Sequence, residues 1–298
     1  MHRREFLRTS AATLAAAALA VESRAQAPAK KRALKKAVNL GMIGGPGSVA
    51  DKFKLARDAG FDGLELNRPD AIPIDEILKA KAESGMEIGG VICTTHWGKP
   101  LSSPDPAVVE AGMKGLKLAI ADCAELGCSR LLLVPGVVNK EVTYEQCWTR
   151  SMENIRKVIG DAEKAKCKIA VENVWNGFIT KAEEAVRYVD EIKSPWLGWH
   201  LDLGNLVNFE VPAEHWVRLL GPRVLNLHIK DFSRVKLDSA GKPKGFGVEL
   251  GEGDNDWPKI MQALDEIGYA GYGILEVGGG DAARIKFLAE RTDQLFKG

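Results

Sequence analysis

The chain has 298 residues, 45% of them hydrophobic, which is enough to bury one large core. Its formal net charge of +1 excludes the strongly basic surface of nucleic-acid-binding domains, and no apolar run reaches the ~20 residues of a membrane-spanning helix. The five cysteines lack CxxC spacing and lie in apolar segments, so we expect them to pack in the core.

The N-terminal residues have the pattern of an export signal. Arg3 and Arg4 form a twin-arginine pair, and an alanine-rich stretch without a polar face follows at residues 11–21. The pattern predicts a signal peptide and linker over residues 1–35, which the twin-arginine (Tat) export machinery would recognise in the precursor. After cleavage, residues 36–298 would form a periplasmic protein with no stable membrane insertion.

The chain from residue 36 onward alternates short apolar runs with helical patterns. The predicted strands are residues 38–43, 60–67, 86–94 and 130–134, three runs that end at Glu172, Asp202 and His228, and residues 272–276. The predicted helices are residues 48–59, 73–84, 106–126, 143–166, 180–192, 212–220, 257–267 and 281–296. Eight such units predict an α/β fold, a single (β/α)8 TIM barrel whose carboxyl strand ends meet at one mouth.

The second predicted strand carries an acidic residue between two leucines. Because side chains alternate along a strand, Leu64 and Leu66 share one face and Glu65 lies on the other. The leucines suit packing beneath helices. We therefore expect Glu65 to point into the barrel mouth and to contact the substrate.

The connection at residues 230–256 is much longer than the others and rich in glycine. A connection of this length inside a compact domain is usually functional or disordered. We favour an active-site lid, because the segment leaves the strand that bears His228. A plain solvated insertion is the alternative.

Four residues that can bind metal end four consecutive predicted strands: Glu172, Asp202, His228 and Glu276. Each alone is more typical of a helix cap, a salt bridge or a hydrogen-bonded structural residue. Together at one mouth, three carboxylates would repel one another unless a cation lay between them. Three carboxylates and one imidazole predict one divalent ion, Mn²⁺ first, with Mg²⁺, Co²⁺, Fe²⁺ or Zn²⁺ as alternatives.

Five segments resemble the xylose isomerase-like barrel superfamily of sugar phosphate isomerases and epimerases, which includes ketose 3-epimerases, hydroxypyruvate isomerases and inosose dehydratases. They are residues 171–173 (Val-Glu-Asn), 201–205 (Leu-Asp-Leu-Gly-Asn), 227–231 (Leu-His-Ile-Lys-Asp), 251–254 (Gly-Glu-Gly-Asp) and 274–276 (Ile-Leu-Glu). The resemblance covers about residues 36–298. It implies that Glu172, Asp202, His228 and Glu276 are the metal ligands and that the two glutamates also move protons.

The same resemblance implies that Arg234 binds substrate. It also contains a departure, because the epimerases carry a histidine three residues after the aspartate ligand, where this chain has Asn205. The other expected substrate contacts are His96, Trp97, Trp175, Asn205, Lys230 and Glu252. A loop role for His96, simple packing for the tryptophans and an ion pair between Lys230 and Asp231 are the alternatives.

Three functions fit this predicted site. The first is a metal-dependent isomerase or epimerase that acts on a sugar or keto-sugar through an enediolate. The second is a lyase or dehydratase acting on a keto-sugar or 3-keto-glycoside, which the predicted export favours because phosphosugars are mostly cytoplasmic. The third is a non-catalytic periplasmic sugar-binding barrel. All three take a small carbohydrate as partner, and the sequence selects neither the sugar nor the oligomeric state.

Overall fold

The computed structural model describes residues 32–209, 211–240 and 242–297, and the chain from Ala33 onward forms one compact unit. The predicted signal peptide lies outside the described residues, apart from its last few positions. Eight parallel strands close into a barrel in sequence order, which confirms the predicted TIM barrel. Within the described ranges, no helix has the length and apolarity to cross a membrane.

The strands of the barrel are β1 Lys35–Asn39, β2 Gly63–Arg68, β3 Glu87–Cys93, β4 Arg130–Leu133, β5 Lys168–Glu172, β6 Leu197–Asp202, β7 Val224–Ile229 and β8 Tyr272–Leu275. The helices are α1 Val49–Asp58, α2 Ile74–Ser84, α3 Pro106–Leu126, α4 Tyr144–Arg156, α5 Ile159–Lys164, α6 Ala182–Ile192, α7 Leu203–Val207, α8 Ala213–Leu220, α9 Arg234–Ala240, α10 Trp257–Glu266 and α11 Ala282–Leu295. Short 3₁₀ turns cover Leu40–Met42, Gly221–Arg223 and Lys242–Phe246.

The helices begin and end at residues whose side chains or backbone conformation satisfy the unpaired N–H and C=O groups of the terminal turns. Ser48 and Asp51 form a reciprocal capping box at the start of α1. Asp105 caps α3, Pro106 occupies its first turn, and Gly127 ends it in the left-handed conformation at φ 69°. Each side-chain cap typically contributes about 1 kcal/mol. These signals explain why the sequence prediction for α3 matches the structure.

The second strand begins at Gly63 rather than residue 60, and two other predicted elements differ more from the structure. The first strand ends at Asn39 rather than residue 43, because the Asn39 side chain accepts a hydrogen bond from Gly41 N and starts a 3₁₀ turn. The helix predicted at residues 143–166 is two helices, with a break at Val158, where φ is −113° and ψ is −2°. The Val158 side chain stays buried, so the apolar periodicity continues across the break and hides it.

The strand faces divide the core into two layers. Leu64 and Leu66 are buried on the helix-facing side of β2, as predicted. Inside the barrel, Tyr272 packs so closely that a Cβ on Gly63 or Gly89 would lie about 3 Å from its ring. All five cysteines are buried and unbridged, which confirms their predicted packing role.

The long connection between β7 and α10 is folded onto the barrel. It contains α9 and a 3₁₀ turn, and the buried Asp231 carboxylate accepts hydrogen bonds from Gly251 N at 2.9 Å and Trp257 Nε1 at 3.0 Å. A Cβ on Gly253 would lie 2.2 Å from the same carboxylate, so glycine is required there. The structure therefore contradicts a plain solvated insertion, whereas opening of the connection as a lid stays a prediction.

Candidate metal centre

The four residues at the carboxyl ends of β5 to β8 converge at the barrel mouth. Glu172 and Asp202 end β5 and β6, His228 is the last but one residue of β7, and Glu276 follows β8. One ligand atom of each lies within 4.8 Å of the other three. The parallel register produces this arrangement, because it places Asp202 beside His228 on neighbouring strands.

The three carboxylates face one nitrogen of the His228 ring. Nδ1 lies 2.9 Å from Glu172 Oε1, 3.4 Å from Glu276 Oε2 and 3.8 Å from Asp202 Oδ2. Neutral imidazole and ionised carboxylates are ligands for hard or borderline divalent ions. The geometry therefore assigns Nδ1, rather than Nε2, as the imidazole atom that can hold a cation together with the carboxylates.

Asp202 is held with one carboxylate oxygen left for a cation. Its Oδ1 accepts from Asn205 N at 2.8 Å and caps α7, a helix absent from the sequence prediction. Its Oδ2 is buried, faces His228 Nδ1 at 3.8 Å and lies 2.8 Å from the Lys230 ammonium. A buried carboxylate needs positive charge beside it, so this atom fits a position where it contacts both Lys230 and a metal ion.

Asn173 positions Asp202 and was missed as a functional residue. Its Oδ1 accepts from Asp202 N at 3.0 Å, and its Nδ2 donates to Asp202 O at 2.8 Å. It is fully buried between β5 and β6. The sequence signal for it was its position directly after Glu172 in the Val-Glu-Asn segment.

Lys230 supplies a fixed positive charge beside the carboxylates. Its Nζ lies 2.8 Å from Asp202 Oδ2 and 2.6 Å from Glu276 Oε2, and it is 4.7 Å from the centre of the Phe246 ring. The alternative pairing with Asp231 is wrong, because that carboxylate binds backbone and indole N–H groups of the long connection. The loop side chain Phe246 thus covers the lysine that contacts two candidate ligands.

The two glutamates of the site differ in proton affinity. Burial raises the pKa of Glu172 to about 7, although the hydrogen bond to His228 opposes this shift. Burial also acts to raise the pKa of Glu276, but the charges of His228 and Lys230 outweigh it and lower that pKa. The Glu276 side chain is 43% exposed, which places it toward the open side of the mouth.

Three predicted substrate contacts bind other parts of the chain in this structure, and their contact with a substrate stays a prediction. Glu65 is 0% exposed and lies behind His228, because the barrel interior closes over it. Asn205 is buried and uses its side-chain amide to bond Asn173 O, which holds the turn after β6. Glu252 lies away from the four-residue cluster and pairs with Arg291 on α11.

The other predicted contacts lie on loops at the strand ends. Trp175 donates to Asn205 O at 3.0 Å and stacks on Phe246 with ring centroids 5.0 Å apart. Arg234 begins α9 and lines a cavity of about 390 Å³. Trp97 is 52% exposed and packs edge-on against His96. An exposed tryptophan beside a strand end is available for stacking on a ligand.

His96 is buried and neutral. Its Nδ1 accepts a hydrogen bond from Val134 N at 3.1 Å, so the ring proton lies on Nε2. Burial lowers the pKa of His96 to about 4. This hydrogen bond ties His96 to Val134, the residue directly after β4, which is a structural role. The Nε2–H remains as the one donor of the ring.

The pKa of His96 predicts a loss of stability in acid. Between pH 7 and 4.5 the unfolded chain binds a proton that folded His96 does not, so this residue should lower the unfolding free energy by about 2–3 kcal/mol over that range. The stability is present above about pH 6.5, the reference value for His, and is lost as pH falls toward 4. Urea unfolding with chelator present checks this. His96→Gln should show a shallower acid dependence than wild type, and parallel curves would contradict the expectation.

Comparison with protein families confirms the resemblance expected from the sequence. The model for the xylose isomerase-like TIM barrel family matches residues 53–293. The chain belongs to this family.

Curated relatives of this chain include sugar-phosphate epimerases. The putative L-ribulose-5-phosphate 3-epimerase SgbU of Escherichia coli K12 is 27% identical over 243 residues, which are 77% of this chain and 84% of that protein. The L-ribulose-5-phosphate 3-epimerase UlaE of Salmonella typhimurium LT2 is 22% identical over 245 residues, 76% and 81% of the two chains.

Solved structures share the xylose isomerase-like barrel. L-ribulose 3-epimerase superposes with a TM-score of 0.73 at 20% identity, covering 89% of this chain and 95% of that one. D-psicose 3-epimerase, crystallised in the presence of D-fructose, gives 0.72 at 17% identity and covers 89% and 100%. The 3-keto-D-glucoside 4-epimerase YcjR of E. coli gives 0.72 at 15% identity and covers 89% and 100%. At these identities the likeness establishes the fold.

Proposed function

We propose that this chain is a metal-dependent epimerase or isomerase of a ketose or keto-sugar. The observation that carries the proposal is the convergence of Glu172, Asp202, His228 and Glu276 within 4.8 Å at the barrel mouth. The epimerase activities named for the relatives support it. Of the three carboxylates in this set, Glu172 and Glu276 suit proton transfer to and from carbon.

The ligand set favours one divalent ion, with Mn²⁺ the first choice. Three carboxylates with one imidazole match ions that prefer oxygen and nitrogen ligands. A divalent ion bound there would act as a Lewis acid, stabilising negative charge that develops on substrate oxygens. The buried Asp202 Oδ2, which faces His228 Nδ1 at 3.8 Å beside the other two carboxylates, supports this assignment.

Glu172 and Glu276 are the proposed proton-transfer residues. Both carboxylates contact Nδ1 of His228, Glu172 from the end of β5 and Glu276 from the residue after β8. Because β6 and β7 lie between these two strands, the carboxylates approach the site from different directions. One carboxylate removes the proton next to the carbonyl, which forms an enediolate, and the other can return it. Return to the opposite face of the same carbon gives an epimer, and return to the neighbouring carbon gives an isomer.

A panel of ketoses tests the activity. The purified protein would be stripped with chelator, reloaded with Mn²⁺, Mg²⁺ or Co²⁺, and incubated with free and phosphorylated pentuloses and hexuloses. We expect metal-dependent conversion of at least one ketose to an epimer or isomer, detected by chromatography. Sugar binding without turnover at every metal would favour the non-catalytic sugar-binding barrel instead.

A lyase acting on a keto-sugar or 3-keto-glycoside is the second candidate. The predicted export signal favours it, and YcjR, a structural relative, is a 3-keto-D-glucoside 4-epimerase. The same proton removal would precede loss of a leaving group on the carbon β to the carbonyl. Adding 3-keto-glycosides to the panel separates the two, because elimination releases the aglycone and epimerisation does not.

We also propose export by the twin-arginine route to the periplasm, on the evidence of Arg3, Arg4 and the alanine-rich stretch. Replacing Arg3 and Arg4 together by lysine should leave the precursor in the cytoplasm, because the pair is the recognised feature. Cell fractionation and immunoblotting measure this. Lys30→Arg with Lys31→Arg, just before the described residues, is a control that should export normally. Periplasmic accumulation of the double lysine variant would contradict the proposal.

A further inference from the structure

We propose that Glu65 is a positioning residue for His228, holding the imidazole so that its Nδ1 faces the metal position. The inference rests on the proposed metal-dependent function. Glu65 would then act inside the barrel, on His228, rather than by contact with the substrate as the sequence predicted. The side chain comes from β2, remote in sequence from the strands that carry the four candidate ligands.

The contact geometry supports this role. Both Glu65 oxygens lie 3.3 Å from His228 Nε2, and both residues are buried. The three other carboxylates face Nδ1, on the other side of the ring. A histidine that donates its second ring N–H to a carboxylate is fixed in tautomer and orientation as a metal ligand. With the proton on Nε2, the Nδ1 lone pair is directed toward the ion.

The surroundings hold the Glu65 carboxylate in place. Asn39 Nδ2 on β1 donates to Glu65 Oε2 at 3.0 Å. On β3, a Cβ at Gly90 would lie 3.2 Å from Glu65 Oε1, so the neighbouring strand packs closely against it. The His200 ring packs on the His228 ring with centroids 4.1 Å apart, which restricts the imidazole from a further side.

Other roles for Glu65 fit the geometry less well. Its carboxylate cannot join the three ligands at Nδ1, because the imidazole ring lies between them. Substrate contact is disfavoured because Glu65 is 0% exposed. Donor atoms of Glu65, His200 and His228 do lie within 4.8 Å of one another, so a second ion is an outcome that the experiment has to separate.

The test is metal affinity in Glu65→Gln and Glu65→Leu, measured with Mn²⁺ against a competing fluorescent chelator. Loss of such a supporting carboxylate typically weakens metal binding about 10–100-fold. We expect Glu65→Leu to fall in this range and Glu65→Gln to lose less, since its amide oxygen still accepts from Nε2–H. Each should still bind one ion at saturation. Glu87→Gln is the matched control, because Glu87 pairs with Lys35 at the opposite end of the barrel.

A second readout reports the imidazole itself. In ¹⁵N spectra of the Zn²⁺-loaded protein, His228 should carry its proton on Nε2. Glu65→Leu should broaden or shift that signal, while His96 and His215, which do not contact Glu65 or His228, keep theirs. Asn39→Ala, which removes the amide that holds Glu65, should weaken Mn²⁺ binding less than Glu65→Leu. It provides the test if Glu65→Leu fails to fold.

Wild-type affinity in all Glu65 and Asn39 variants would overturn the inference. So would loss of one of two bound ions, or a raised KM with unchanged metal affinity. Failure of the wild-type protein itself to bind metal would instead refute the proposed function.

Discussion

Replacing Glu172 or Glu276 by glutamine is expected to lower turnover by about 10²–10⁴-fold, the usual contribution of a general base or acid. Glutamine keeps an oxygen that can bind metal but cannot accept the substrate proton. Both side chains lie within 4 Å of His228 Nδ1, so the loss should appear in kcat more than in KM. Steady-state kinetics on the best ketose, with Mn²⁺ content measured in parallel, checks this.

Glu266→Gln provides the matched control for these variants. Glu266 ends α10 and pairs with the exposed Arg218, so its replacement should leave kcat near the wild-type value. Near-wild-type turnover in both the Glu172 and Glu276 variants would contradict proton transfer by this pair. Loss of metal with loss of turnover would indicate that ligation, rather than proton transfer, had been removed.

Asp202→Asn is expected to abolish stoichiometric metal binding. The amide oxygen of asparagine can still accept from Asn205 N and cap α7. The buried atom that replaces Oδ2, however, no longer carries negative charge to bind the ion. Removing one of three ligand carboxylates should therefore weaken affinity strongly without unfolding α7. Elemental analysis after gel filtration, with circular dichroism to verify folding, measures the result.

Asp281→Asn is the corresponding control, because Asp281 caps α11 by accepting from Arg284 N and lies outside the metal cluster. It should bind one ion per chain, as the wild type should. An Asp202→Asn protein that retains one ion per chain after gel filtration would refute the ligand assignment.

The sequence was sufficient for the barrel and for the four converging residues. Apolar runs with period two, interrupted by helical patterns and caps, are local signals, and a parallel barrel brings every carboxyl strand end to one mouth. Glu172, Asp202, His228 and Glu276 needed no knowledge of loop paths. For the same reason the inward direction of Glu65 was predictable from alternation along β2.

Roles that depend on partners from distant strands or loops were not predictable. Alternation placed Glu65 inside the barrel but did not reveal that His228 lies between it and the mouth. Glu252 sits on a long connection whose path is set by the Asp231 hydrogen bonds, and these contacts form only in the folded chain. Asn205 resembled a substrate residue by position, yet its amide holds the turn after β6.

The most direct test of the central claim is the fate of the hydrogen next to the substrate carbonyl. A ketose that the Mn²⁺-loaded protein converts would be turned over in D₂O, and the same ketose deuterated at the carbon that changes would be compared with the undeuterated sugar in H₂O. The account predicts solvent deuterium at that carbon or, if the proton is returned internally, a primary isotope effect on kcat, with both lost in Glu172→Gln and Glu276→Gln. Conversion with neither solvent deuterium nor an isotope effect, at wild-type rates in both glutamine variants, would contradict it.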